Sequence, residues 1–310
     1  MNILYDHSIA IAFGAGLPLP AALDPRFEGA LRHILDHPGN LVRPRMVMQG
    51  AMAHGLDAGR AKDLAIALEY FHTASLVFDD LPCMDDASQR RGAPCVHRVY
   101  GEGEAILAAL ALINRAYALI WRAAAGAPPE RQAEAMSYVE QRLGVAGLLN
   151  GQSLDLHYAA LPHDPETTGR IARGKTVSLV RLTLVLPAIL GGAGGREIQL
   201  QERVSLYWGL AYQILDDLKD LFLGAPESGK TVGRDTLLDR PNLAAVAGPP
   251  AAMKRLKRLL RLGDRNLASL LKARPSLAFL RQLRLALEEE LDRVTRAARE
   301  GMGEARPCCF

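Results

Sequence analysis

Leu76-Val-Phe-Asp-Asp-Leu-Pro-Cys-Met-Asp-Asp86 is the stretch on which the fold prediction rests. Its four carboxylates, Asp79, Asp80, Asp85 and Asp86, directly follow an apolar segment with helical periodicity. Ionised carboxylates repel one another, and burying them without partners is costly, so packing alone does not explain them. Carboxylate oxygens are hard ligands, and Mg²⁺ is the hard cation that also binds phosphate. The stretch therefore predicts a magnesium site where a helix ends.

A second acidic cluster lies in the stretch Ala211-Tyr-Gln-Ile-Leu-Asp-Asp-Leu-Lys-Asp220. Asp216 and Asp220 are four residues apart, so they share one face of a helix, and Asp217 lies beside them. Two such clusters on two helices can face each other across a cavity and hold Mg²⁺ ions between them. Ions held in this way would bridge to a strongly anionic ligand, and a diphosphate fits that description.

Composition narrows the class of protein. The 310 residues are 49% apolar, and the net charge of +3 argues against a general nucleic-acid binder. The four cysteines form no C-x-x-C pair, which favours reduced thiols. We expect a cytoplasmic protein without a signal peptide, because the N-terminus has no basic segment followed by an apolar one. The most apolar window, Val177 to Gly195, is interrupted by Arg181 and Pro187 and predicts a buried helix, with no membrane span.

Hydrophobic periodicity predicts helices along most of the chain, and no segment alternates as a strand would. We therefore predict an all-α fold, one large helical bundle with a central cavity, formed by a single domain over residues 1–310. Residues 1–20 are weakly patterned, and residues 300–310 are predicted to be a tail. Pro82 is expected to end its helix, so that Asp85 and Asp86 turn back on a loop.

Several motifs follow one another in an order typical of a known family. They are Asp-Asp-x-x-x-x-Asp at Asp79 followed by Arg90-Arg91-Gly92, His72-Thr73, Gly151-Gln152-x-x-Asp155, Lys175-Thr176, Gln213 to Asp220, and Gly229-Lys230. Over roughly residues 30 to 250, this set resembles the trans-type polyprenyl diphosphate synthases of the geranylgeranyl and farnesyl type.

The resemblance implies a Mg²⁺-assisted prenyltransferase in which an allylic diphosphate ionises and its carbocation is attacked by isopentenyl diphosphate. It implies a homodimer and three Mg²⁺ ions per active site. The metal ligands would be Asp79, Asp80, Asp85, Asp216, Asp217 and Asp220. The allylic diphosphate would bind Arg90, Lys175 and Lys230, and isopentenyl diphosphate would bind Arg43, His72 and Arg91. The catalytic residues would be Lys175, Thr176, Gln213 and Lys230.

The chain departs from the family pattern near Arg43. Asn40 and Leu41 stand where the family has a lysine and an arginine, and only Arg43 of that set is retained. Losing a charge-assisted hydrogen bond at a diphosphate costs about 1.5–3 kcal/mol. Arg240 occupies the place of a later family lysine and keeps its charge.

Product length is implied by the helix that precedes Asp79. In the family, a large residue about one turn before this aspartate stops chain growth, but Ala74 and Ser75 are small. Phe71 and Tyr70 on the turn below could form a floor. One turn is about 5.4 Å, roughly one isoprene unit. These residues favour a C20 product, geranylgeranyl diphosphate.

Two other functions remain open at this point. A class I terpene cyclase also uses aspartate-rich metal sites, although the pair Arg90-Arg91 and the presence of both acidic motifs favour elongation. A non-catalytic or weakly active partner subunit of another prenyl synthase would explain Asn40 and Leu41, but the intact aspartates argue against it.

Overall fold

The structure is a computed structural model that describes residues 7–222 and 240–303. The Gly229-Lys230 motif lies outside the described residues. Within the described residues, the regular structure is helical except for one hairpin. Its two strands, β1 (Gln89–Arg90) and β2 (Ala93–Pro94), have two residues each. The prediction of an all-α fold is confirmed. The single-domain assignment stays a prediction.

The first half of the chain packs around one long central helix, α4. Its helices are α1 (His7–Ala15), α2 (Pro25–Asp36), α3 (Val42–Ala53), α4 (Ala58–Asp79), α5 (Val96–Tyr100), α6 (Glu102–Ala124) and α7 (Pro129–Leu143). Asp57 caps α4 by accepting hydrogen bonds from the amides of Gly59 and Arg60. Because α4 is buried on several faces, Glu69 and Thr73 lie among neighbouring helices and not in solvent.

The second half packs around α11. It contains α8 (Leu148–Leu156), α9 (Pro165–Ala172), α10 (Ser178–Leu190), α11 (Gly195–Phe222), α12 (Leu243–Ala247), α13 (Pro249–Ala273) and α14 (Leu280–Gly303), with short 3₁₀ turns at Tyr158–Ala160 and Pro275–Phe279. Helix α10, which falls in the most apolar window, is almost wholly buried, as predicted. The structure has two apolar cores, one around α4 and one around α11, and most buried side chains of α10 belong to the core around α4.

Two elements were not foreseen from the sequence. Residues 1–20 seemed weakly patterned, but α1 forms there and buries Ile9 and Phe13. A π-helical segment, Arg173–Val177, joins α9 to α10 and carries Lys175 and Thr176. Single π turns inside helices often occur at functional sites, and this one holds two predicted catalytic residues.

The loop after α4 adopts the predicted turn. Helix α4 ends at Asp79, and the chain reverses around Pro82 so that the amide of Asp85 donates to the carbonyl of Asp79 at 2.9 Å. Asp86 takes a left-handed conformation with φ of +46° at the end of this turn. The reversal brings the second carboxylate pair back beside the end of the helix.

By length and composition, α6 could cross a membrane. Helices that pack within a protein core meet the same criterion, and α6 lays its buried face against α4. The outward face of α6 carries large apolar side chains, those of Leu107, Leu110, Tyr117 and Trp121.

Candidate active site

Asp79 and Lys175 meet at the centre of the candidate site. The ammonium of Lys175 lies 3.9 Å from one oxygen of Asp79, and the amide of Gln152 donates to the other at 2.8 Å. Burial raises the pKa of Asp79 to about 6, against the opposing effect of the Lys175 charge. The carboxylate is therefore desolvated and needs a cation to stay ionised at low cost.

Lys175 is anchored by a second acid. Its ammonium lies 2.9 Å from Asp155 Oδ2, and Asp155 is buried on α8. Burial alone would lower the pKa of Lys175, but the carboxylates of Asp79 and Asp155 raise it above its usual value. Lys175 is thus held as a cation between two helices.

Two glycines permit this arrangement. A Cβ atom on Gly174 would lie 2.7 Å from the Cα atom of Gly151, and one on Gly151 would lie 2.4 Å from the amide nitrogen of Lys175. Helix α8 and the π-helical segment therefore touch through their backbones. A larger residue at either glycine would separate Lys175 from Asp155.

The other carboxylates of the first cluster bind arginines. Arg90 makes a two-nitrogen contact with the buried Asp80, with its Nη2 atom at 2.5 Å and its Nε atom at 3.0 Å from Oδ1. Arg240 donates to Asp85 Oδ1 at 2.7 Å and also to the carbonyls of Met84 and Asp155. Arg240 thereby ties the aspartate loop to α8.

The second cluster divides between two faces of α11. Asp216 and Asp220 are partly exposed and share one face, as predicted. Asp217 is buried instead, and its carboxylate accepts hydrogen bonds from Gln213 at 2.9 Å and from the amide of Leu243 at 2.8 Å. Asp217 therefore fixes α12 against α11, while Asp216 and Asp220 face outward from that contact.

A chain of hydrogen bonds connects the π-helical segment to the second cluster. The hydroxyl of Thr176 donates to Gln213 Oε1 at 2.6 Å, and Gln213 donates to Asp217. Since Lys175 precedes Thr176 in the π-helical segment, one short segment contacts both acidic motifs. The structure thus brings together the predicted residues Lys175, Thr176 and Gln213.

The carboxylates present fit Mg²⁺ in kind but do not form a finished metal cage. Among the residues that the structure describes, no group of three acidic, imidazole or thiol side chains is close enough to hold one ion. Mg²⁺ usually keeps several waters and binds through one or two carboxylates plus phosphate oxygens. Asp79, Asp85 and Asp216 are suited to ligate ions of that kind, and their role as ligands stays a prediction.

A second group of cations surrounds a buried carboxylate that sequence analysis missed. Glu69 on α4 is 2% exposed and accepts from Arg43 Nη1 at 3.4 Å and from Arg91 Nη2 at 3.1 Å. Arg91 also donates to the carbonyl of His37 and to Thr73 Oγ1. The signal was present, because a lone glutamate in an apolar run, three residues before His72, lies on the same helix face.

His72 lies next to this cluster with one ring nitrogen unused. Its Nδ1 atom is buried and has no hydrogen-bond partner in the described chain. Burial, and then the charges of Arg43 and Arg91, hold the pKa of His72 well below its usual value, so the ring is neutral. Three predicted ligands for isopentenyl diphosphate, Arg43, His72 and Arg91, therefore lie together.

Asn40 and Leu41, which replace a lysine and an arginine of the family pattern, supply no cation to the site. Leu41 is buried in the core with a left-handed φ of +51°, so it contributes packing and no charge. Arg45 turns back to donate to the carbonyls of Asn40 and Leu41, at 3.2 and 3.4 Å. Gly39, with φ of +76°, lets Arg91 pass, because a Cβ atom there would lie 2.7 Å from Arg91 Nε.

The residues predicted to set product length occupy different environments. Phe71 packs edge-to-face against Tyr117 of α6 with ring centroids 4.9 Å apart. Ala74 is fully buried, and the hydroxyl of Ser75 donates to the carbonyl of His72. Tyr70 faces α1, where its hydroxyl donates to the carbonyl of Phe13 and its ring packs on Phe13. Phe71 with Tyr117 is therefore a more direct candidate for a floor than Tyr70.

A family model described as polyprenyl synthetase matches residues 24–272. The chain is 36% identical over 244 residues to a geranylgeranyl diphosphate synthase of Pantoea ananas, covering 78% of this chain and 77% of that one. It is 34% identical over 260 residues to the chloroplastic geranylgeranyl pyrophosphate synthase 9 of Arabidopsis thaliana, covering 81% and 71%.

Solved structures of prenyl synthases also superpose on this chain. An FPP/GFPP synthase from Zymomonas mobilis superposes with a TM-score of 0.75 at 26% identity, covering 87% of this chain and 92% of that one. A geranyltranstransferase from Thermotoga maritima superposes with a TM-score of 0.72 at 26% identity, covering 92% and 98%.

Proposed function

The chain belongs to the polyprenyl synthetase family and is a prenyltransferase, and on that premise we propose that it condenses isopentenyl diphosphate with an allylic diphosphate to give geranylgeranyl diphosphate. The observation that carries the proposal is that one segment, Lys175-Thr176, contacts both acidic motifs. A ligand between the motifs would meet carboxylates for metal ions, a fixed ammonium and a threonine at once. The similarity to geranylgeranyl diphosphate synthases supports the product.

The allylic diphosphate would be bound by Arg90 and Lys175, with Lys230 a further predicted ligand. Breaking its C1–O bond leaves an allylic cation and places the electron pair on the leaving diphosphate. Lys175 and Arg90 are charged in this site and would stabilise that growing negative charge. Bound Mg²⁺ would neutralise the same oxygens, with Asp79, Asp80, Asp85, Asp216, Asp217 and Asp220 as the predicted ligands.

Isopentenyl diphosphate would bind on the opposite side, to Arg43, His72 and Arg91. Its double bond attacks the allylic cation, a C–C bond forms, and loss of a proton restores a double bond five carbons further on. The hydroxyl of Thr176 and the amide of Gln213 are hydrogen-bonded to each other between the two motifs. Their oxygen dipoles could stabilise the transient cation there.

Product length would be set along α4. Ala74 and Ser75 are small residues about one turn before Asp79, and the edge-to-face pair of Phe71 and Tyr117 would stop the growing chain. The favoured product is C20.

The quaternary state and location are also proposals. We propose a homodimer, and the exposed apolar stripe of α6, with Leu107 54% and Trp121 62% exposed, supports it. Three Mg²⁺ ions per site and a cytoplasmic location remain predictions, and the curated relatives include bacterial and chloroplastic proteins.

Purified protein should be tested alone with labelled isopentenyl diphosphate, an allylic diphosphate and Mg²⁺. We expect label in an extractable prenyl product, and EDTA should abolish it. Incorporation that needs a second protein would instead identify a partner subunit. A cyclic hydrocarbon formed without isopentenyl diphosphate would identify a cyclase.

A further inference from the structure

Asp217 begins a chain of hydrogen bonds whose direction is fixed at its start. Its Oδ2 atom accepts from the backbone amide of Leu243 at 2.8 Å, and its Oδ1 atom accepts from Gln213 Nε2 at 2.9 Å. A backbone amide can only donate, and an ionised carboxylate can only accept. Asn242, which caps α12, also donates to the backbone carbonyl of Asp217 at 3.1 Å. The carboxylate, on a residue that is 3% exposed, is therefore held in one orientation by α12.

The direction set at Asp217 passes through Gln213 to Thr176. Because the NH₂ group of Gln213 faces a carboxylate, its carbonyl oxygen Oε1 faces Thr176 Oγ1, at 2.6 Å. An amide oxygen can only accept, so the one hydroxyl proton of Thr176 is used in this hydrogen bond. Toward any other neighbour, the Thr176 hydroxyl offers only its lone pairs.

This orientation of Thr176 suits the proposed reaction. Ionisation of the allylic diphosphate leaves a carbocation, and an oxygen lone pair stabilises that positive charge, whereas a hydroxyl proton would repel it. Hydrogen bonds in series also polarise one another, so the negative charge of Asp217 increases the electron density on the Thr176 oxygen. The chain of hydrogen bonds therefore prepares the oxygen before any substrate arrives.

We propose that Asp217 is a positioning residue, which acts through Gln213 to hold the Thr176 hydroxyl with its lone pairs toward the developing cation. This inference rests on the proposed function, because it assigns a task within the same ionisation step. It differs from the predicted role of Asp217 as a metal ligand, because a ligand acts on the ion and not through Gln213. The two roles predict different results when the carboxylate is moved along the chain of hydrogen bonds.

The first variant, Asp217→Asn, breaks the direction of the chain of hydrogen bonds. Asparagine has one acceptor oxygen, but Gln213 and the Leu243 amide both donate to this side chain. The single-turnover rate of prenyl transfer, measured by rapid quench on the full chain, should fall by about tenfold or more. Both KM values should stay within about twofold, because the effect is confined to the transition state. Asp264→Asn, at the partly exposed ion pair with Arg284 on α13, is the matched control and should leave the rate unchanged.

The double variant Gln213→Glu/Asp217→Asn restores the direction with the carboxylate moved by one position. The new asparagine would accept from the Leu243 amide and donate to the carboxylate at position 213, which would still accept the proton of Thr176. We expect the double variant to be at least about fivefold faster than Asp217→Asn, since the two changes compensate each other. Gln213→Glu alone would bring two carboxylates together and should be as slow as Asp217→Asn or slower.

The recovery separates this role from metal binding. If Asp217 acted only as a ligand of Mg²⁺, the double variant would stay as slow as Asp217→Asn, and both would need more Mg²⁺ for half the maximal rate. That result would overturn the proposal. Circular dichroism checks the fold of each variant. If Asp217→Asn alone does not fold, comparing the double variant with Gln213→Glu gives the same test.

Thr176→Val separates the proposed role from a general effect on α12. This variant removes the last member of the chain of hydrogen bonds, so adding Asp217→Asn to it should slow the reaction no further. A further loss as large as that in the unmodified protein would mean that Asp217 acts only by fixing α12, and it would overturn the proposal. Absence of prenyl transfer in the unmodified protein would instead refute the proposed function, so the two failures are distinguishable.

Discussion

The two groups of cations in the active site are neutralised in different ways. Arg90 pairs with Asp80, a predicted metal ligand, and Lys175 lies near Asp79, another. Arg43 and Arg91 instead share Glu69, which no motif places among the metal ligands. Mg²⁺ at Asp79 and Asp80 would therefore compete with Arg90 and Lys175 for these carboxylates, while Asp155 keeps Lys175 in place. Arg43 and Arg91 have no predicted metal ligand as a partner, so the isopentenyl side depends on the fold alone, and the allylic side depends on both the fold and Mg²⁺.

The largest effect is expected from removing a carboxylate on the metal-dependent side. Asp79→Ala should lower kcat/KM by roughly 10³-fold, since loss of metal-based charge stabilisation costs several kcal/mol and each 1.36 kcal/mol is tenfold. Steady-state kinetics at saturating Mg²⁺ measures this. Circular dichroism should show an intact fold.

Asp86→Asn is the matched control, because Asp86 is in the same loop and pairs with the exposed Arg98. It should change kcat/KM by less than about threefold, since exposed ion pairs are weak. Unchanged turnover in Asp79→Ala would contradict the metal assignment.

Glu69→Gln should weaken the isopentenyl diphosphate site formed by Arg43, His72 and Arg91. Two partly buried guanidiniums would lose their shared counter-ion, so they would separate and the KM for isopentenyl diphosphate should rise by about tenfold or more. The KM for the allylic diphosphate should change little. Thermal unfolding should also show lower stability, because the substitution breaks a buried ion pair.

Glu69→Asp should restore part of the affinity. A merely structural role would lower stability without this selective change in KM. Equal increases in both KM values would erase the distinction between the two sides.

Asp155→Asn makes the corresponding change on the allylic side. Lys175 would lose its anchor at 2.9 Å, so the KM for the allylic diphosphate should rise by a few fold, up to about tenfold. The KM for isopentenyl diphosphate should stay the same. Steady-state kinetics with each substrate varied in turn should be measured for Asp155→Asn and for Glu69→Gln. We expect Asp155→Asn to raise only the KM for the allylic diphosphate and Glu69→Gln to raise only the KM for isopentenyl diphosphate. A rise in both constants would mean that Asp155 acts through the general fold.

The smallest effect on rate, but a distinct one on product, is expected from Phe71→Ala. Removing one ring of the Phe71–Tyr117 pair should lengthen the product beyond C20 with less than about a threefold change in kcat, since neither cation group is touched. Ala74→Phe should shorten the product. Mass spectrometry of the dephosphorylated alcohols measures both. An unchanged product in Phe71→Ala would place the floor elsewhere.

Much of this site was predictable because its residues occur in short motifs on strongly patterned helices. The end of α4 at Asp79 follows from Pro82, and the shared face of Asp216 and Asp220 follows from helical spacing. Glu69 was missed because its partners, Arg43 and Arg91, are 26 and 22 residues away, and only tertiary packing joins them.

Backbone details were equally hidden from the sequence. The contact of Gly151 with Gly174 joins two segments far apart in the chain, and the π-helical turn at Lys175 has no simple periodic signal. Tyr70 has its partner, Phe13, on α1, and the weak pattern of residues 1–20 did not predict that helix.

The most direct test of the proposed function is the size of the product. Purified protein should be incubated with Mg²⁺, isopentenyl diphosphate and, separately, the C5, C10 and C15 allylic diphosphates, and each prenyl product sized. We expect a C20 product from every starter that is accepted. No elongated product from any starter, with the fold intact, would contradict the proposed function.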